Sequence, residues 1–590
     1  MKNPLAWRFL TVQILLAFIG LSIPAKVFYL QHSVQAQEIL AAVEPWNGWE
    51  ETLYPQRGEI YDYKGHLLAG NQTAYEVGVD LKVLKDLSEF DRIAQENNLA
   101  LAAQYLGMTH AEAIFKIENP PFDYSVYVVL ADNVPEDKAQ YLKDLKKNTA
   151  NESNGHNLNQ LHFRQHYRRS YTEGSLASNV IGYVLPEDQV GLSGVEEKYN
   201  SLLAGESVTI WQSTEPDLLR DLPKSPIGTS LILTFTREIQ AAVEGVLDKA
   251  VDDTGAESGT VIVMDPQTGE ILAMATFPRP SLNDQAHYGE NLSIEHPLNP
   301  AVSKDYEPGS VFKILTMAAA LDAGVIKPED TFFDIGITLY GGVDFHNWEN
   351  TVWGLQDMTG CLQHSINTCF IYIADKLGKD SFYTYMQKFG IGHTTGIDLA
   401  GEAPGQMRLP SDTVIPWTEP DLASHSFGQG LSTTPIQMVM AASAIANGGK
   451  MVYPHVVYAT VENGIQTETP RSVVATPIKT ETAHTLSEML ANSLENEASE
   501  ALVPGYRLAG KTGTAQIPPY YEHLDETNAS FVGWGPVDDP KFLVYVWLEK
   551  PRTAIWASKV AAPVFREVVE KLIVLMGIPP DNIRLQTATP

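Results

Sequence analysis

The 590-residue sequence predicts an α+β protein: a single N-terminal transmembrane helix, a mixed α+β region, and a C-terminal α+β domain whose antiparallel sheet is flanked by helices. Three observations carry that expectation. An uncharged apolar run fills residues 9–25 (FLTVQILLAFIGLSIPA) and residues 27–30 extend it, close to the ~20 residues that cross a bilayer. Strand-like runs bounded by turn residues form hairpin patterns near both ends of the C-terminal half. Helical patterns occupy the stretch between those hairpins, the arrangement of an antiparallel sheet covered by helices.

Composition narrows the function classes. Hydrophobic residues make up 44% and charged residues 19%, a globular mixture that excludes wholesale disorder and fibrous repeats. The length leaves room for several domains. Lys plus Arg total 41 against 72 Asp plus Glu, a net charge of −31 that would repel phosphate backbones and argues against nucleic acid as a partner. The two cysteines, Cys361 and Cys369, are too few for a disulfide framework and lack the spacing of a zinc site.

The alternative to a membrane anchor in residues 1–30 is a cleavable signal peptide, and Val34-Gln35-Ala36 looks a little like a cleavage site. That site lies well beyond Ile23, and the apolar run exceeds a signal's usual ~7–15 residues, so an anchor is expected. Lys2 and Arg8 precede the span and only Lys26 closely follows it, which by the positive-inside bias leaves a short cytoplasmic tail and an extracytoplasmic bulk.

In residues 31–225, residues 126–130 (VYVVL) read as a strand and residues 135–147 as a helix, with Pro135 suited to its first position. A polar loop follows at 147–156. Residues 213–228 (STEPDLLRDLPKSPIG) are rich in Pro and acid, and the boundary with a domain at 226–577 is placed there, leaving a tail at 578–590. Residues 238–252 have a helical pattern. Two apolar runs within 259–274 flank the turn 265–269, and residues 530–534 and 542–548 flank a second turn at 536–540. Residues 562–576 place Val564, Phe565, Val568, Val569, Leu572, Ile573 and Met576 on one helical stripe, with Gly577 suited to end it.

Chemistry concentrates in three places. Glu307-Pro308-Gly309-Ser310-Val311-Phe312-Lys313 runs into an apolar segment, and a helix whose first turn carries Ser310 would put the Lys313 amine beside the serine hydroxyl. If burial lowers the amine's pKa, it can take the hydroxyl proton, and the helix N-terminus favours an oxyanion. The plain alternative is two solvated side chains, against which the apolar surroundings argue. Ser365-Ile366-Asn367 and Gly510-Lys511-Thr512-Gly513-Thr514 are the other two places, the first common in turns and the second readable as an ordinary edge strand. Together and in this order they match the Ser-x-x-Lys, Ser-x-Asn and Lys-Thr-Gly set of penicillin-recognising serine enzymes.

On these residues the chain resembles the class B penicillin-binding proteins, peptidoglycan D,D-transpeptidases with one N-terminal membrane helix, and the resemblance extends over most of the sequence. Arg57-Gly58-Glu59-Ile60-Tyr61-Asp62 through Gly65 and Leu68-Ala69 is similar to the motif that opens the family's pedestal, a dimerisation-domain-like region. Gly191-Leu192-Ser193-Gly194-Val195-Glu196 through Tyr199 and Gly205 is similar to its closing motif. Tyr306 to Lys313, Phe427-Gly428-Gln429-Gly430, Lys511 to Gln516 and Ala561-Ala562-Pro563-Val564-Phe565 follow the catalytic half's pattern. Tyr63-Lys64 departs from the more usual Arg-Asn, in the pedestal.

The resemblance implies an elongated pedestal at 31–225 and a penicillin-binding transpeptidase domain at 226–577. It implies that Ser310 attacks the D-Ala-D-Ala carbonyl of a stem peptide and forms an acyl-enzyme, with Lys313 as general base. Ser365 would relay a proton to the leaving amine, linked to Lys511, and Asn367 would hold the substrate amide. Lys511, Thr512, Gly513 and Thr514 would bind the substrate, its carboxylate facing the cation and hydroxyls. The N–H groups of Ser310 and Thr514 would form the oxyanion hole. The implied partners are stem peptides and lipid-linked glycan strands, β-lactam antibiotics, and a polytopic glycan polymerase with other divisome or elongasome proteins. The implied place is the bacterial cytoplasmic membrane, and no cofactor or metal is implied.

His162 and His166 have helical i, i+4 spacing, but HFRQH lacks the acid of a zincin motif, so solvated histidines are the expectation. Cys361 and Cys369 stand symmetrically about Ser365, and a disulfide and core thiols remain equal alternatives. A serine β-lactamase shares the three motifs but needs neither pedestal nor anchor. A β-lactam sensor would need a polytopic segment, a bifunctional class A enzyme a glycosyltransferase domain, and a noncatalytic scaffold would not need Ser310, Lys313 and Lys511. Length and the lack of repeat domains after Gly577 lean towards the division type over the elongation type.

Overall fold

The computed structural model describes residues 4–33, 48–53, 55–122, 125–153, 156–185, 189–213, 226–284, 299–496, 500–517 and 526–587. Val34-Gln35-Ala36, most of the break at 213–228 and part of the 147–156 loop lie outside them. The expected apolar span forms one helix, Pro4–Gln31. At 1.5 Å per residue it is about 42 Å long, enough to cross a hydrocarbon core of ~30 Å.

The chain divides into two compact units, residues 1–56 with 205–228, and residues 57–204 with 229–590. The first unit holds the N-terminal helix and an antiparallel pair, Gly48–Leu53 on Val208–Ser213. The second holds two large sheets.

One of these has seven strands. Its path runs Ile465–Glu468, Val457–Glu462, Ser230–Leu233, Ile60–Tyr61, Leu67–Asp80, Tyr127–Pro135, and Leu161–Tyr171 also pairs with Leu67–Asp80. Strands from both sides of residues 213–228 therefore share one hydrogen-bonded sheet, joined where Ile60–Tyr61 runs parallel to Ser230–Leu233. Three helices, Glu89–Ala103, His110–Glu118 and Glu136–Thr149, pack Leu99, Ala113 and Leu142 against Val77, Val79, Val128, Leu130 and Leu161. The helix expected at 135–147 begins one residue later, because Pro135 ends a strand and serves as the cap. Its first turn is acidic and its last basic, matching the helix dipole.

His162 and His166 lie on the strand Leu161–Tyr171, not on a helix. Ladder pairing with Leu67–Asp80 along its length overrides the local helical spacing. His166 Nε2 sits 3.3 Å from Asn133 Oδ1.

A buried ion cluster fixes the two pedestal-type motifs to each other. Glu196, fully buried, accepts from Arg57 Nε at 2.6 Å and from Arg169 Nε at 2.7 Å. Arg57 also donates to Asn200 Oδ1 at 2.9 Å and Gln189 O at 3.0 Å, and Arg169 to Gly58 O at 2.7 Å.

The second sheet has five strands in the order Ala509–Gln516, Thr527–Gly535, Phe542–Glu549, Ser258–Met264, Ile271–Phe277, all antiparallel. Both expected hairpins are present. Alternation along the central strand explains its unbroken apolar run. Val544, Val546 and Leu548 pack under the helices Arg237–Thr254 and Ala557–Leu575, and Leu543, Tyr545 and Trp547 face the opposite core. That opposite core includes the helices Lys313–Asp322 and Pro435–Ala446. The last long helix starts at Ala557, earlier than expected, and buries Val564, Phe565, Val568, Val569 and Leu572. Gly577 follows it with φ +65°. Residues 578–590, expected as a tail, contain the helix Asp581–Thr587, held by Arg584 to Asp538 and Asp581.

Removing the shared carboxylate would strand two buried guanidinium groups. Glu196→Ala should lower stability by about 3–5 kcal/mol, read as a shift of the urea unfolding midpoint.

Candidate active site

Ser310 lies in a 3₁₀ turn, Gly309–Phe312, that leads directly into the helix Lys313–Asp322. The sequence pattern pointed to an α-helical first turn. With three residues per turn the 3₁₀ geometry eclipses positions i and i+3, so it aligns Ser310 and Lys313 more directly than an α-turn would.

Two glycines let this turn meet the edge strand Ala509–Gln516. Gly309 has φ +59°, and a Cβ there would stand 3.0 Å from both Thr514 O and Ala515 Cβ. A Cβ on Gly513 would stand 2.8 Å from Val311 Cγ1 and 2.5 Å from Ser530 Oγ. Gly513 thus contributes by having no side chain, letting the strand close on the serine turn.

Lys313 has no exposed surface. Its Nζ donates to Ser365 O at 2.7 Å and Asn367 Oδ1 at 2.7 Å, and lies 3.0 Å from Ser365 Oγ. It also lies 5.3 Å from the Phe370 ring centroid. Burial, and secondarily the charge of Lys511, hold its pKa well below the ordinary lysine value. The partner set suits a neutral amine. Two N–H groups satisfy the two carbonyl-type oxygens, and the lone pair remains for a hydroxyl hydrogen.

Ser365 sits between the helices Met358–Gln363 and Asn367–Leu377 with φ +52°, a left-handed conformation that costs a β-carbon residue roughly 1–3 kcal/mol. Cys361 and Cys369 form a disulfide across this turn, their Cα atoms 6.2 Å apart. The structure thereby settles the alternative that the sequence left open. Asn367 is oriented by its neighbours: His346 O can only accept, so Nδ2 faces it at 3.1 Å and Oδ1 faces Lys313.

On the edge strand, Lys511 is buried and donates to Thr512 O at 3.1 Å and Thr512 Oγ1 at 3.3 Å. Thr514 Oγ1 accepts from Ala557 N at 3.1 Å, which leaves the hydroxyl hydrogen for an anion in the cavity.

A cavity of 670 Å³ is lined by Ser310, Ser365, Asn367, Lys511, Thr512 and Thr514. Lys313 reaches this group through its hydrogen bonds to Ser365 and Asn367, and Gly513 packs behind the strand. The three sequence motifs therefore meet at one place. Sequence reasoning missed the aromatic wall. Trp348 and Trp556 meet edge to face at 5.1 Å, and Trp353 stacks on His364 at 3.9 Å, all four lining the cavity. Burial lowers the pKa of His364. The one sequence signal was Trp348 standing among polar residues, His346-Asn347 before it and Glu349-Asn350 after it.

The arrangement provides a hydroxyl at a helix N-terminus, a buried amine able to accept its proton, and a cation with hydroxyls for an anionic group. Comparison with known proteins agrees. Residues 259–570 match the penicillin binding protein transpeptidase domain, and residues 52–213 the penicillin-binding protein dimerisation domain. Stage V sporulation protein D of Bacillus subtilis is 29% identical, over 98% of this chain and 87% of that protein. Peptidoglycan D,D-transpeptidase FtsI of Escherichia coli is 26% identical, over 89% of this chain and 85% of its own length. The crystal structure of penicillin binding protein 3 from Mycobacterium tuberculosis, complexed with aztreonam, superposes with a TM-score of 0.68 at 26% identity. That match covers 90% of this chain and 98% of the other. The chain belongs to the penicillin-binding protein transpeptidase family, as a class B member.

The Cys361–Cys369 bridge closes a short loop around the Ser365 turn. Cys361→Ala with Cys369→Ala should lower stability by about 2–3 kcal/mol, seen as a lower thermal midpoint that added reductant does not lower further.

Proposed function

We propose that this chain crosslinks peptidoglycan as a serine D,D-transpeptidase of bacterial cell-wall synthesis, with Ser310 as nucleophile and Lys313 as its base. The observation that carries the reading is the burial of the Lys313 amine between Ser365 and Asn367, one helical step from Ser310.

In this reaction the D-Ala-D-Ala end of a donor stem peptide lies in the cavity with its terminal carboxylate against Lys511, Thr512 and Thr514. Ser310 Oγ attacks the penultimate carbonyl as Lys313 Nζ takes the hydroxyl proton. The oxyanion accepts hydrogen bonds from the N–H of Ser310, in the turn before the helix, and the N–H of Thr514, on the edge strand. Asn367 Nδ2 has a second hydrogen for the substrate's amide. Ser365, hydrogen-bonded to Lys313, passes a proton to the departing amine, and terminal D-Ala leaves. An amine of a second stem peptide then attacks the acyl-enzyme, forming the crosslink and freeing Ser310. A β-lactam acylates the same oxygen, but its opened ring keeps the leaving nitrogen tethered.

The reading includes a pedestal at 31–225, a transpeptidase domain at 226–577 and a tail at 578–590. It places the protein in the cytoplasmic membrane as a single-pass protein, with the N-terminus in the cytoplasm and the acidic bulk outside, consistent with Lys2 and Arg8 before the span. The pedestal docks a polytopic glycan polymerase whose strands this domain crosslinks, and the assembly is that of septal growth.

A fluorescent penicillin should label the membrane-bound protein on Ser310 and leave it slowly. Labelling that survives Ser310→Ala would overturn the nucleophile, and release within seconds would favour a β-lactamase.

The base assignment fixes a pH dependence. Lys313 is active when neutral, so acylation should rise with pH through an apparent pKa below the ~10.4 of free lysine. That value belongs to the interacting Lys313 and Lys511 pair. Lys313→Arg keeps a positive charge that cannot be shed, and should lose acylation by several hundredfold or more across this range, in a stopped-flow assay. Near-normal acylation with an unchanged pH profile would reduce Lys313 to an electrostatic partner.

A further inference from the structure

Asp334, at the end of the strand Thr331–Asp334, has no exposed surface and does not line the cavity, yet all four of its acceptor positions are used. Oδ1 accepts from Thr368 Oγ1 at 2.7 Å and Gly336 N at 3.0 Å. Oδ2 accepts from Asn347 Nδ2 at 2.8 Å and Trp353 N at 2.8 Å. These donors come from three separate segments: the turn after the strand, the cavity wall from His346 to Trp353, and the first turn of the helix that begins at Asn367.

The same segments are cross-tied. Asn347 Oδ1 accepts from Thr368 N at 3.2 Å, Asn347 N donates to Gly336 O at 3.0 Å, and Asn367 Nδ2 donates to His346 O at 3.1 Å. Burial opposes the charge of Asp334, but the hydrogen bonds from Thr368, Gly336, Trp353 and Asn347 outweigh it and hold the carboxyl below the usual range. The group is therefore an anion at working pH, with each lone-pair direction committed.

We propose that the Asp334 carboxylate and the Thr368 hydroxyl form a positioning pair that registers Asn367, and the wall bearing Trp348 and Trp353, against Lys313 and Ser310. The inference rests on the catalytic roles proposed above for Ser310, Lys313 and Asn367. Asn367 holds Lys313 through Oδ1 and the wall through Nδ2, so the angle of its amide depends on where the wall and the helix start lie relative to each other. Asp334 hydrogen-bonds both. Displacement of ~1 Å at a catalytic group can cost about a hundredfold in rate, whereas a bound ligand tolerates more.

Thr368→Val removes the hydroxyl at nearly constant shape, Thr368→Ser keeps it, and Asp334→Asn turns one acceptor into a donor that faces another donor. The test uses full-length protein in detergent and resolves penicillin acylation into a noncovalent dissociation constant and an acylation rate constant. Thr368→Val and Asp334→Asn should each lower the rate constant about 10–100-fold with little change in noncovalent binding, and Thr368→Ser should acylate close to the unmodified rate. The double variant should be no slower than the slower single one, because both break one network. If Asp334→Asn does not fold, the Val and Ser variants at 368 decide alone. The proposal is overturned if Thr368→Val acylates at the unmodified rate, if Thr368→Ser loses as much as Thr368→Val, or if only the thermal midpoint moves. Failure of the underlying reading looks different, since labelling would then survive Ser310→Ala.

Discussion

The hydrogen bonds of one buried amine tie the active site together. Lys313 Nζ reaches Ser365 and Asn367 from the first residue of a helix whose preceding turn carries Ser310. An ammonium in that position would be costly, because burial removes its solvation and Lys511 repels it. The same two effects make the amine a competent proton acceptor. Two of the three sequence motifs thus touch through Lys313, and Lys511 from the third acts on it through its charge.

Much of the surrounding fold serves to hold these groups close. The serine turn approaches the edge strand only because Gly309 and Gly513 lack side chains, and that strand belongs to a sheet buried on both faces. The Ser365 turn adopts a left-handed conformation that the flanking helices and the Cys361–Cys369 bridge maintain. Local strain is tolerated there because the neighbours on each side are fixed. Further away, the Arg57–Glu196–Arg169 cluster joins segments far apart in sequence.

What was legible in the sequence followed from local signals. The five-stranded sheet announced itself through turn residues at 265–269 and 536–540, and the long C-terminal helix through the stripe from Val564 to Leu572. The motif residues were legible because their chemistry demands particular side chains at fixed spacing. Non-local constraints were not. His162 and His166 have helical spacing but sit in a strand, since long-range pairing with Leu67–Asp80 dominates. The close approach of the serine turn to Thr514 and Ala515 is a tertiary contact that no local pattern encodes. Trp348, Trp353 and Trp556 come together only through tertiary folding, and Asp334 looks in sequence like any polar strand end. The sharing of one sheet by residues 60–171 and 230–468 was likewise invisible to composition, which registered only the acidic, Pro-rich break between them.

The proposed chemistry needs Lys313 to be neutral, and the protonation state of that nitrogen can be observed directly. ¹⁵N NMR of lysine-labelled protein, with the Lys313 signal assigned by its loss in Lys313→Arg, would follow the amine through a pH titration. The expected midpoint lies well below the ~10.4 of free lysine. A Lys313 signal that stays protonated up to that value or beyond would contradict it.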